Sequence, residues 1–226
     1  MKLDAHAHQK SDSTQILVGV HTLGVHPWEL TTPFDRALFD QKWEELIKSR
    51  ANKKEIYAIG ECGLDRVHEN IADIEDQKYV LMKHFELANK LEVPVILHSV
   101  RTYSDVLEIL KKIKFQYPIL LHAYGGNEHE MHELLKYPVY FSYGARLFKT
   151  DKMLKITSLD RLLLETGDQL EFSINDIYQK ASESLGIDPA VLEERLEKNF
   201  LTFFRKHDNI STTDFINNLN ARKTRA

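Results

Sequence analysis

Side chains able to hold a divalent cation recur after short apolar runs along this 226-residue chain. His6 and His8 follow a weak first run at Lys2–Ala5, and Glu61 follows Ile56–Ile59 and Gly60. His98 follows Val93–Leu97, His122 follows Ile119–Leu121, and Glu165 follows Leu162–Leu164. Imidazoles and carboxylates brought into one small volume repel or stay badly solvated unless a cation joins them. Such a donor set suits zinc, manganese, iron or nickel better than calcium. The pair His6-Ala7-His8 adds to this, because strand residues two apart point the same way and can reach one ion. Each position alone has a plainer explanation: His98 or His122 as a core histidine bonded to backbone, Glu61 as a turn residue in Gly60-Glu61-Cys62-Gly63. Their shared placement favours a common site.

The elements that must position them are strands and helices in alternation. Gln15–Val20, Ile56–Ile59, Val93–Leu97, Ile119–Leu121, Val139–Phe141 and Leu162–Leu164 are apolar at successive positions, which suits strands buried on both faces of a parallel sheet. Helical spacing of apolar residues marks Asp40–Ser49, Gln77–Asn89, Tyr103–Ile113 and Glu128–Leu135 between them. The expected fold is therefore α/β, a TIM-like (β/α) barrel whose strand ends all open on one face. Seven strands are legible, so either an eighth lies within Val18–Val25 or the barrel is distorted and one strand short. Beyond them, a helix over Ser173–Leu185 opens on Ser173-Ile174-Asn175-Asp176, and another opens on Asp188-Pro189 and runs through Phe203. From about residue 208 the chain reads as polar. One domain over 1–206 and a polar tail over 207–226, with room for one short helix, are expected.

A formal net charge of -4 argues against a broadly basic nucleic-acid-binding surface, although bound metal can supply positive charge locally. Cys62 is the only cysteine, so no internal disulfide forms; it reads as a small buried residue. The single cysteine makes a cytoplasmic protein the expectation; the opening Met1–His6 shows no signal-peptide apolar region, and no apolar run is long enough to span a bilayer. His68, His84, His129 and His132 are expected on the surface, and His21 is open to either reading.

With these residues in view, the chain resembles the TatD family of metal-dependent deoxyribonucleases. Asp4-Ala5-His6-Ala7-His8 is similar to the family's D-x-H-x-H start, and Gly24-Val25-His26-Pro27-Trp28 to its G-x-H-P motif. Ala58-Ile59-Gly60-Glu61-Cys62-Gly63-Leu64-Asp65 resembles I-G-E-x-G-L-D, and Pro94–Ser99 resembles the stretch ending at the fourth ligand. Leu120–Gly126, Leu159–Thr166 and Asn199-Phe200 resemble the H-x-F-x-G, L-L-L-E-T-D and N-F segments. The resemblance covers about residues 3 to 204. It implies two divalent ions (magnesium, manganese, zinc or similar), with His6 and His8 on one, Glu61 bridging, and His98 and His122 on the other. It further implies a metal-activated water attacking a phosphodiester, with His26 and Arg101 contacting a substrate that is DNA or another phosphodiester. A monomer is expected.

Three departures from the family pattern bear on this. The family has an aspartate directly after Glu-Thr, a ligand of the first ion that orients the water; here that place is Gly167, and Asp168 follows. Asp168 is the candidate to act as ligand and catalytic group if the loop rearranges around Gly167. Arg101 lies three residues after His98 rather than two, and the segment between His8 and His26 is short. Two alternatives stay open: a metal hydrolase of a small phosphoester or amide, and a member whose site is weakened at Gly167.

Overall fold

The computed structural model describes residues 1–50, 56–169, 171–204 and 211–225. Among these residues there are eight strands: β1 (Leu3–Ala7), β2 (Thr14–Leu17), β3 (Thr22–Leu23), β4 (Ala58–Asp65), β5 (Val95–Val100), β6 (Ile119–Leu121), β7 (Val139–Tyr143) and β8 (Leu162–Leu164). The helices are α1 (Arg36–Ser49), α2 (Ile74–Leu91), α3 (Tyr103–Lys112), α4 (Glu128–Leu134), α5 (Lys152–Ile156), α6 (Ile174–Leu185), α7 (Pro189–Phe204) and α8 (Thr212–Arg225). β3 to β8 form one parallel sheet in sequence order, and β1 pairs with β2 in parallel. The two sheets meet where Ala7 bridges Gly167, through Gly167 N–H to the His6 carbonyl at 2.9 Å and His8 N–H to the Gly167 carbonyl at 3.0 Å. The order around the molecule is thus β2-β1-β8-β7-β6-β5-β4-β3. No ladder joins β2 to β3 among the described residues, so the TIM-like barrel is distorted at that seam.

The eighth strand is β3, inside the Val18–Val25 stretch, and only two residues long. β2 stops earlier than the apolar run, because the N–H groups of Val20 and His21 both turn back to the Leu17 carbonyl. β4 runs on to Asp65, so Glu61 lies within a strand rather than after it. His98 likewise sits within β5. α1 starts at Arg36 because the Asp35 carboxylate caps the N–H groups of Ala37 and Leu38.

Strand alternation builds two cores. Ile59, Leu97, Leu121, Phe141 and Leu162 face outward and pack beneath helix residues such as Val80, Phe85, Val106 and Met131. Ala58, Ile96, Leu120, Tyr140 and Leu163, one residue out of phase, face inward with Leu3, Ala5 and Ile16. Phe200, Phe203 and Phe204 of α7 and Phe215, Ile216 and Leu219 of α8 fill that inner core. The stretch read as a polar tail therefore contains a packed helix, whose apolar residues fall on one face. The boundary expected near residue 206 lies outside the described residues.

Two histidines are core residues: His84, read from the sequence as a surface residue, and His21, which the sequence left open. His84 is fully buried on α2, not on the surface: Nδ1–H donates to the Val80 carbonyl at 2.8 Å and Nε2 accepts from Val25 N–H at 2.9 Å. Its apolar neighbours Val80, Leu81 and Ala88 place it on the inner face of the helix. His21 is also buried; Nδ1 accepts from Leu17 N–H and Nε2–H donates to the Leu219 carbonyl, tying the β2–β3 turn to α8. Burial pushes both imidazoles down to about 4.

Candidate metal centre

One carboxylate organises the mouth of the barrel. Glu61 is almost wholly buried, and five imidazoles approach its two oxygens. Oε2 meets Nε2 of His6 at 3.1 Å and Nε2 of His8 at 3.0 Å. Oε1 meets Nε2 of His26 at 3.0 Å, Nδ1 of His98 at 3.1 Å and Nε2 of His122 at 2.8 Å. Inward aim follows from parity for two of these residues, since His98 and His122 lie two positions after the inward-facing Ile96 and Leu120. Glu61 reaches the interior by a different route. The register of β4 against β5 slips by one residue between Ile59 and Cys62, and this irregularity re-aims the Glu61 side chain. β1 carries a similar slip between Asp4 and Ala7, ahead of His8. Gly63 lets β4 and β5 close beneath the site, because a Cβ there would stand 1.9 Å from the His98 carbonyl oxygen.

Partners behind the imidazoles fix which nitrogen faces the centre. His98 Nε2–H donates to Asp65 Oδ2 at 3.0 Å, leaving the Nδ1 lone pair aimed at Glu61. His122 Nδ1–H points to Glu165 Oε1 at 3.3 Å, leaving Nε2 for the centre. Asp65 is itself held by Trp28 Nε1–H at 2.8 Å and by the backbone N–H groups of Val67 and His68, at 2.7 and 3.0 Å. Glu165 accepts from Ser142 Oγ–H and Ala123 N–H. Asp4, the first residue of the D-x-H-x-H stretch, accepts from Thr166 N–H and Oγ1–H and so ties β1 to the end of β8. His26 differs from the other imidazoles. Its Nδ1 accepts from Trp28 N–H at 3.2 Å, so its proton is on Nε2 and it faces the centre as a donor.

The electrostatics match that crowding. Burial opposes ionisation of Glu61, yet the imidazoles of His122, His6 and His26 hold its carboxyl well below the usual range. Burial opposes protonation of His122, but Glu61 and Glu165 push it up to about 10. Burial depresses His6, while the contact with Glu61 raises His8. Burial lifts Asp4 to about 7 despite its bonds to Thr166. Burial also opposes ionisation of Asp65, but the bonds from Trp28, His98 and the backbone carry it down to about 2.

Whether these residues fit a cation is decided by their donor chemistry. His6 Nδ1 is buried with no hydrogen-bond partner among the described residues, so no outer partner fixes its tautomer as it does for His98 and His122. Nδ1 of His98 and Nε2 of His122 face each other at 3.3 Å, and the push on His122 leaves a proton on its Nε2, which a cation ligated there would displace. Imidazole nitrogens gathered on one ionised carboxylate are a donor set that a cation can take up, releasing the proton His122 holds without it. The ligand atoms of His6, Glu61 and His122 lie within 4.8 Å of one another, as do those of His26, Glu61 and His98. The split by carboxylate oxygen is more informative than the split by distance, because His26 faces the centre with a hydrogen.

Of the sequence candidates, His6, His8, His26, Glu61, His98 and His122 converge here, and Asp168 and Arg101 do not. Gly167 has φ +61 and is committed to the bridge with Ala7. Asp168 is exposed, accepts from its neighbour Gln169, and reaches the cluster only as a charge near His8. Arg101 is exposed on the segment after β5. Arg146 and Lys149 are exposed beyond β7, with the Arg146 guanidinium against Gly125 in the loop after β6. Asp65 and Trp28 were missed as working residues, although Asp65 stands two residues after Gly63 in the same strand and Trp28 two after His26.

The chain is thus an interrupted parallel α/β barrel with a histidine and carboxylate cluster at its mouth that could hold a metal ion. The profile of the TatD-related DNase family matches residues 5–205, and the chain belongs to that family. It is 31% identical over 152 residues to the 3'-5' ssDNA/RNA exonuclease TatD of Cronobacter turicensis, covering 64% of this chain and 55% of that one. It is 26% identical over 209 residues to the protein of the same description in Cronobacter sakazakii, covering 82% and 77%. The chain thus spans about half the length of the first of these relatives. Among solved structures, a TatD homologue from Escherichia coli superposes with a TM-score of 0.69 at 22% identity, covering 82% of this chain and 76% of that one. A TatD-family hydrolase from Entamoeba histolytica gives 0.68 at 19% identity, covering 81% and 74%. These two likenesses confirm the fold. No helix among the described residues is long and apolar enough to cross a membrane.

Proposed function

We propose that this chain is a divalent-metal-dependent phosphodiesterase acting on DNA. The observation that carries the reading is the convergence of His6, His8, His98 and His122 on the two oxygens of Glu61. In this reading His6 and His8 would hold one ion and His98 and His122 a second, with Glu61 serving both. A bound pair supplies Lewis-acid activation of water and of a phosphoryl oxygen. Asp65 and Glu165 keep His98 and His122 in the tautomers that ligation needs. His26 offers Nε2–H to a phosphoryl oxygen, and Arg101 meets the chain further out. The net charge of -4 means that affinity for a polyanion is local to the metal centre and its few nearby cations. A cytoplasmic protein goes with this reading, on the single cysteine.

The test is cleavage of end-labelled single-stranded DNA with magnesium, manganese or cobalt supplied in turn. Cleavage is expected with at least one metal, and its absence with all three overturns the nuclease reading. Turnover of a model phosphoester or amide without any on DNA places the same centre on small substrates. A second reading, a weakened centre, is favoured by the exposed Asp168 beside the fixed Gly167 bridge. Metal content below one ion per chain under excess metal distinguishes it.

A further inference from the structure

We infer that Trp28, backed by His68, is a stacking platform for a nucleobase next to the metal centre; this rests on the nuclease reading above. Trp28 is 46% exposed, unusual for the largest apolar side chain of a molecule whose other tryptophan, Trp43, is buried. Its ring is not loose. Nε1–H is held by Asp65 at 2.8 Å, and the indole lies against the His68 ring with centroids 4.5 Å apart and planes 15° from parallel. The same indole meets the ring of His26 at 4.8 Å and that of His98 at 5.6 Å. A rigid, water-exposed aromatic thus borders the site where a phosphodiester would sit.

The surrounding cleft selects the part of a nucleotide that fits. Trp28, Asp65, Val67, His68, Glu69 and Val100 line it. Val67 is 49% exposed and adds an apolar wall. The side chains of Asp65 and Glu69 both line this cleft, and acidic groups suit a phosphate poorly. A neutral base has a π-face for the indole and no charge for the carboxylates to oppose. The geometry therefore divides a nucleotide: phosphate at the imidazole cluster, base over Trp28. Duplex ends keep their bases stacked on each other, so the platform favours single strands. Asp65 serves both halves, since one of its oxygens holds the Trp28 and His98 rings together.

The test is fluorescence titration of the metal-loaded protein with a short phosphorothioate-linked oligothymidylate, which resists cleavage, and with the matched abasic strand. Stacking quenches an exposed indole, while the buried Trp43 stays silent. We expect quenching by the thymidylate and none by the abasic strand; with a dye-labelled thymidylate read by anisotropy, so that proteins lacking the indole report equally, affinity should be weaker by about tenfold or more in Trp28→Leu and largely retained in Trp28→Phe. Equal binding of both strands, or thymidylate affinity unchanged in Trp28→Leu, overturns the platform while leaving the nuclease reading standing. Wild-type protein that binds neither strand overturns both.

Discussion

Replacing Asp65 by Asn keeps the size of the side chain and removes one negative charge, yet it should damage metal binding at a residue that never touches the ion. One oxygen of Asp65 accepts from Trp28 Nε1–H and His98 Nε2–H, and the other accepts from the N–H groups of Val67 and His68. Every partner is a donor. Asparagine has one oxygen and one NH2 group, so in either orientation the NH2 faces two N–H groups. If it faces His98, the imidazole must give up the proton on Nε2, and the proton moves to Nδ1. That places N–H where the lone pair now points at Glu61. Loss of an orienting carboxylate behind a ligand histidine costs roughly 10- to 100-fold in metal affinity. Leaving a buried donor unpaired also costs about 1–3 kcal/mol of stability. The assay is calorimetric titration of apo Asp65→Asn with manganese, beside thermal unfolding without metal. Asp105→Asn is the control, because Asp105 pairs with Arg66 and Lys78 away from the cluster. Metal affinity within twofold of wild type in Asp65→Asn, with the protein folded, would refute the tautomer reasoning.

Gly167→Asp places a carboxylate where a Cβ would stand 3.5 Å from Glu165 Oε1, an ordinary contact. The φ of +61 makes this substitution cost about 1–2 kcal/mol without metal, whereas metal should stabilise the variant more than it does wild type; an equal shift in melting temperature on adding manganese contradicts this. His84 stays neutral in the core, held at about 4 against an ordinary 6.5. The unfolded chain therefore binds a proton that the native state refuses between those values, and stability falls as pH drops through that window. His84→Gln removes the effect, so its stability deficit relative to wild type should shrink by about 2.5 kcal/mol between pH 7 and 4.5. A constant gap in urea unfolding across that range would show that His84 does not titrate as described.

Much of the centre was legible because strand polarity is legible. Apolar runs of strand length ending in His98, His122 and Glu165 place those side chains at one end of a parallel sheet, and the sheet is as expected. Features set by local irregularity were not legible. Glu61 turns inward through a one-residue slip in β4 that no alternation rule contains. β3 is two residues long and leaves no pattern. Phe215, Ile216 and Leu219 have helical spacing, but the polar residues around them hid a face that is buried only by its packing against Phe200 and the inward-facing strand residues. His84 carried a usable signal in its apolar neighbours one turn away, and Asp65 one in its place two residues beyond Gly63 on the strand bearing Glu61. Asp168 shows the reverse: a residue of suitable chemistry, one position from where it was needed, is kept outside by the backbone bridge between Gly167 and Ala7.

The central claim is that Glu61 and its imidazoles form a centre for two divalent ions. Elemental analysis of purified protein after equilibration with excess manganese and removal of free metal tests it directly, with Glu61→Ala alongside. The account predicts close to two ions per chain in wild type and fewer than one in the variant. Equal metal content in the two proteins, or none in either, would contradict it.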